Sequence, residues 1–94
     1  MIIPEALLRV ESSEHINRPV ALEVDACGLM CPMPLLKAKQ GLRNIQIGER
    51  IRVLATDAGS LKDFVSFAQL TYQLIEGFYF NESDGVYVYV ICKQ

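Results

Sequence analysis

The chain has 94 residues, enough for one compact domain and too few for two. Hydrophobic residues make up 51% and charged residues 21%, a balance that excludes wholesale disorder. Eleven acids against nine bases give a net charge of -2, which argues against a partner held through its phosphate backbone, so nucleic acid is not the expected partner.

Residues 1–19 read as an N-terminal extension whose secondary structure stays open between a short helix after Pro4 and an edge strand. Its start, MIIPEALLRVESSEH, has no basic stretch before the apolar one, and Glu5 interrupts the run, so it does not read as a secretion signal. No apolar run in the chain approaches the roughly 20 residues of a membrane-spanning helix. The expectation is a cytoplasmic protein without membrane insertion, whose folded domain spans residues 20–94.

In that domain VALEV (20–24) predicts a short strand stopping at Asp25 and Gly28. A helix is predicted from Pro32 to about Leu42, with Leu35, Ala38 and Leu42 on one stripe and Leu36 widening it. Lys37 and Lys39 read as a solvated face. Arg50–Ala55 alternates as a second strand, and Thr56–Gly59 reads as a turn. Ser60 followed by Asp63 resembles a capping box, opening a helix with Leu61, Phe64, Val65 and Ala68 on its apolar face. Tyr72–Phe80 predicts a third strand, bent at Gly77; NESDG (81–85) is a hairpin turn; and Val86–Cys92 is a fourth strand.

The order β-α-β-α-β-β predicts an α/β (α+β) two-layer sandwich, a four-stranded mixed sheet with both helices on one face. On this reading Val86, Val88 and Val90 meet the helices, while Tyr87 and Tyr89 lie on the open face with Arg50 and Arg52. The turns at 25–31 and 56–60 fall at the same sheet edge, beside both helix N-termini.

CGLMCPMP (27–34) holds the candidate chemistry. Three cysteines is an odd number, so a complete disulfide framework within the chain is not expected. Cys31, just before Pro32, stands at the start of a helix, where unpaired N–H groups and the helix dipole favour an anion. This predicts a thiol with a lowered pKa and a reactive thiolate. Pro32 and Pro34 stiffen the first turn, Gly28 permits a tight bend, and Asp25 ends the strand. The bland reading, a small buried cysteine at a helix start, carries less weight because of the two flanking prolines. The chain's one histidine, His15, lies in the extension, so base-dependent hydrolysis is not expected, whereas exchange at sulfur needs no base if the thiol is already acidic. Cys27 reads as loop filling rather than a resolving thiol, and Cys92 as a core thiol by strand parity. No zinc-ligand spacing is present, and no metal or cofactor is expected.

The run D-A-C-G-L-M-C-P-M-P, from Asp25 to Pro34, resembles the signature of the TusA/SirA-like sulfur-carrier family. The likeness continues through PLLKAKQGL, the T-D-A-G turn at 56–59 and S-D-G-V-Y at 83–87. The resemblance implies a fold similar to the C-terminal domain of translation initiation factor 3. It also implies sulfur carried as a persulfide on Cys31, received from a cysteine desulfurase or rhodanese-type donor and passed to an acceptor protein, a sulfurtransferase-type relay. Asp57 matches the family's acidic residue after the second strand. The extension and Cys27 depart from the simplest pattern. The competing reading is a non-catalytic module that binds protein or RNA on the open sheet face through Tyr87, Tyr89, Arg50 and Arg52.

Overall fold

The structure, a computed structural model, describes residues 19–94; the expectations for residues 1–18, His15 among them, lie outside the described residues. The elements are β1 (Leu22–Ala26), α1 (Met33–Arg43), β2 (Arg50–Ala55), α2 (Ser60–Thr71), β3 (Leu74–Asn81) and β4 (Val86–Cys92). They form one four-stranded sheet in the order β1-β2-β4-β3. β1 and β2 are parallel, and both other pairings are antiparallel. The α+β architecture expected from the sequence is the one observed.

Several boundaries shift for local reasons. β1 runs two residues later than VALEV, so Asp25 lies within the strand, opposite Leu54. Tyr72 does not begin β3. It ends α2 in a left-handed conformation with φ 59°, and the residue is 85% exposed. β3 slips register between Ile75 and Gly77, where the sequence places a bend. The turn at 81–85 closes as its composition suggests: Gly85 takes φ 72° and its N–H donates to the Asn81 carbonyl at 2.8 Å.

The core lies between the sheet and the helices. Ala38 and Leu42 of α1 and Phe64 of α2 meet Ile51, Val53 and Ala55 of β2. Gly41 lets α1 approach β1 closely, because a Cβ there would stand 3.1 Å from Val24 Cγ2 and 3.2 Å from Leu22 Cδ2. Leu35 packs against this core, whereas Leu36, expected to widen the stripe, is exposed.

The faces of β4 are the reverse of the expected ones. Tyr89 and Ile91, with Tyr87 beside them, face the helices, and Val86, Val88, Val90 and Cys92 face away. Register decides this: Tyr89 pairs with Val53 and Ile91 with Ile51, the side of β2 that meets the helices. The gap beneath α2 is filled by rings. Tyr89 stacks on Phe64 with centroids 4.3 Å apart, and Phe78 tilts against it at 5.3 Å. Its hydroxyl, which could not be buried alone, shares a 2.7 Å hydrogen bond with Ser60. Ser60 is therefore a buried partner of Tyr89 and not the capping residue of α2. Gly59 occupies the N-cap, with no side-chain cap.

Candidate functional site at the Cys31 turn

Cys31 is exposed, as its reading as a working thiol requires. It precedes Pro32, the N-cap of α1, through a cis peptide bond. Side chains tie its loop to the turn after β2. The Cys31 N–H donates to Asp57 Oδ2 at 3.0 Å, and the Gly28 N–H donates to Thr56 Oγ1 at 2.8 Å. Gly28 supports the bend with φ 81°. The parallel pairing of β1 and β2 is what puts these two turns side by side.

The expected residues divide in two. Cys31, Gly28, Pro32, Pro34 and Asp57 belong to one cluster. Pro34 is buried under it and anchors the first turn of α1. Asp25 acts one step away: its Oδ1 accepts the Cys27 N–H at 3.0 Å, and that hydrogen bond holds its carboxyl below the usual value. Cys27 is exposed rather than filling the loop. Partial burial, then the hydrogen bond and charge of Asp25, push its thiol up, so it is the less reactive form that is favoured.

The residue that the sequence reading missed is Asp63. The Cys31 thiol donates a hydrogen bond to Asp63 Oδ2, in the first turn of α2. Three residues after Ser60, this carboxylate has a sufficient local explanation as a capping residue. Only the packing of α2 beside α1 shows that it reaches across to sulfur instead.

This contact overturns the expectation of a lowered pKa. The Cys31 thiol is pushed up, first by the hydrogen bond to Asp63, then by desolvation and by the charges of Asp63 and Asp57; Lys62 opposes them. The helix start offers little in return. Pro32 and Pro34 have no N–H, the Met33 N–H is taken by the Met30 carbonyl at 2.8 Å, and that of Leu36 by Pro32 at 3.1 Å. The dipole argument assumed a full set of free donors, and this helix start has lost most of them.

Two further features shape the surroundings. A Cβ at Gly59 would stand 3.1 Å from Asp57 Oδ2, tighter than an ordinary contact, so glycine leaves room for the carboxylate that holds the Cys31 N–H. Met30, 76% exposed, and the less exposed Met33 and Leu36 give the loop and the first turns of α1 an apolar rim. A cleft of about 370 Å³ lies instead at the other ends of the helices, between Leu42, Phe67, Arg43 and Lys93. Its cations already have local partners: Arg43 is in the last turn of α1, Lys39 Nζ lies 5.5 Å from the Phe67 ring centroid, and Lys93 Nζ donates to the Ile45 carbonyl at 2.8 Å. Among the described residues, no group of three His, Cys, Asp or Glu could hold a metal ion, and no helix is long and apolar enough to cross a membrane.

Cys92 is buried on the side of the sheet away from the helices, its Sγ 3.7 Å from the Gly48 carbonyl. The basic and aromatic open face does not form as expected. Arg50 pairs with Glu76, Arg52 pairs with Glu23 at 3.0 Å, and Tyr87 and Tyr89 are on the other face.

Comparison with known proteins places this site in context. The family model described as sulfurtransferase TusA matches residues 22–93. The chain is 43% identical over 73 residues to the sulfur carrier protein TusA of Allochromatium vinosum, spanning 77% of this chain and 92% of that one. It is 34% identical over 77 residues to the sulfur carrier protein TusA of Pseudomonas fluorescens, spanning 81% and 89%. A SirA-like protein from Desulfitobacterium hafniense shares the fold at a TM-score of 0.66 and 24% identity, over 76% of this chain and 95% of that one. With the matched region running from β1 to the end of β4 and including the Cys31 turn, the chain belongs to the TusA family.

Proposed function

We propose that this protein is a sulfur carrier in which Cys31 holds sulfur as a persulfide, taken from a donor protein of the cysteine desulfurase or rhodanese type and passed to an acceptor protein. The observation that carries the reading is an exposed thiol on a loop held in place by Asp57 and Thr56, in a chain of the TusA family. Exchange requires that a donor's outer sulfur reach Cys31 without the chain opening. Exposure of Cys31 and the apolar rim of Met30, Met33 and Leu36 both favour this.

The supporting residues then have distinct duties. Asp57 orients Cys31 through its backbone, Gly28 and Asp25 shape the loop, and Pro32 and Pro34 fix where α1 begins. Residues 20–94 form the carrier domain, and a reducing, cytoplasmic setting suits its free thiols. A second reading, a protein- or RNA-binding sheet face, loses its motivation: the two tyrosines it would use face the helices, and both arginines are in ion pairs.

The test is incubation with a cysteine desulfurase and cysteine, or with a rhodanese and thiosulfate, followed by mass spectrometry. Wild type gains the mass of one sulfur atom on the peptide containing Cys31. Cys31→Ser gains none, while Cys27→Ser loads as wild type does. Sulfur retained by Cys31→Ser would remove Cys31 from this role.

A further inference from the structure

Resting on the reading of Cys31 as the sulfur acceptor, we propose that Asp63 is the proton shuttle of the exchange: it takes the Cys31 thiol proton as the sulfur attacks and returns it to the donor's departing thiolate. The motivating geometry is the hydrogen bond from the Cys31 thiol to Asp63 Oδ2, made across the gap between two helix starts. The alternatives for that proton are few. Among the described residues, the charged groups that act on the Cys31 thiol are Asp63, Asp57 and Lys62, and of these only Asp63 accepts a hydrogen bond from it. Asp57, the other carboxylate at the turn, is occupied with the Cys31 backbone N–H.

The step balances without an outside oxidant or reductant. The Cys31 sulfur attacks the outer sulfur of the donor's persulfide, and a new S–S bond forms. The bond between that outer sulfur and the donor's cysteine breaks, and its electron pair stays on the donor's cysteine as a thiolate. The proton released by Cys31 crosses to Asp63 Oδ2 and then to that thiolate. The products are a Cys31 persulfide and a donor thiol, with the outer sulfur unchanged in oxidation state.

Such a shuttle makes sense of a thiol kept protonated at rest. A thiol of higher pKa gives the more nucleophilic sulfur once its proton is gone. An aligned carboxylate removes the proton only while the new bond forms, so the thiolate need not stand free in solvent. The charged groups that face Cys31 are Asp63 and Lys62 of α2 and Asp57 of the turn before it; the carboxylates favour the thiol, and Lys62 favours the thiolate.

The two possible roles of Asp63 predict opposite signs. If it is only a negative charge beside sulfur, its removal speeds every reaction of Cys31. If it shuttles the proton, removal speeds simple alkylation yet slows sulfur transfer. The experiment uses Cys27→Ser as background and compares it with added Asp63→Asn and Asp63→Glu. Iodoacetamide alkylation and single-turnover transfer from a thiosulfate-loaded rhodanese are followed from mildly acid to mildly alkaline pH. Asp63→Asn should alkylate faster at neutral pH, with its profile moved to lower pH, and should accept sulfur about a hundredfold more slowly, the usual worth of a positioned acid–base group. Asp63→Glu, which keeps a carboxylate, should recover most of the transfer rate. Transfer in Asp63→Asn that rises with alkylation, or stays at the background rate, overturns the shuttle. So does a loss of transfer in Asp63→Glu as large as in Asp63→Asn. No sulfur on Cys31 in the background protein overturns the carrier reading itself, an outcome distinct from the others.

Discussion

Cys31 and Cys92 carry the same functional group in opposite settings. Cys31 stands in a turn, exposed, with its thiol on a carboxylate and its backbone on another. Cys92 is the last residue of β4, buried, with the backbone carbonyls of Gly48 and Lys93 within 4 Å of its sulfur. The strand fixes Cys92 through a ladder in which it pairs with both Arg50 and Leu74. The turn fixes Cys31 by side chains that reach from a different turn and a different helix. A cysteine in a ladder is held by its backbone and is as inert as its burial makes it. A cysteine between turns owes its reactivity to the few groups that touch it, and each can be changed without touching the sheet.

The contrast can be broken most sharply by alkylation of the native protein. In the Cys27→Ser background Cys31 should react at least about a hundredfold faster than Cys92, since Cys92 must wait for local opening of a core strand. Equal rates, read from peptide mass spectra over time, would mean that β4 does not bury its last residue. A second contrast lies in stability. Cys92→Ser should lower the unfolding free energy by about 1–3 kcal/mol, because a buried hydroxyl is left without a good partner. Sulfur loading of the folded fraction should be unchanged, and denaturant melts beside loading assays check both. The smallest effect is expected at Asp57→Asn. Its carboxylate raises the Cys31 pKa, so its removal should move the pH profile of Cys31 alkylation to lower pH and leave the fold intact. Movement to higher pH would show that the hydrogen bond to the Cys31 N–H matters more to the thiol than the charge does.

The order of elements was legible because each has its own period: Phe64, Val65 and Ala68 mark a helix face, and Ile51, Val53 and Ala55 a half-buried strand. The facing of β4 was not. In VYVYVIC both alternating sets are apolar, and both Val90 and Ile91 end up buried, so hydropathy alone does not say which set meets the helices. Volume decides instead: rings fill the space under α2, and Ser60 supplies a partner for the Tyr89 hydroxyl. At the site, Cys31 and Asp57 could be found because each sits in a motif of its own turn. The pKa of Cys31 could not, since it depends on how two helix starts approach each other. Asp63 was hidden by a plausible local role, which is a general hazard when a long-range contact uses a residue type that also caps helices.

The ties from Thr56 and Asp57 to the Cys31 loop have a consequence for how fast such a carrier can work. A flexible loop would have to be ordered at every encounter, and that entropy would be lost again with each visiting protein. Here the loop is ordered once, when β1 and β2 pair, by the same event that builds the sheet. A visiting protein needs only to bring its sulfur into line and leave. Brief, weak contacts then suffice, and the same small surface can serve a giver and a taker in turn.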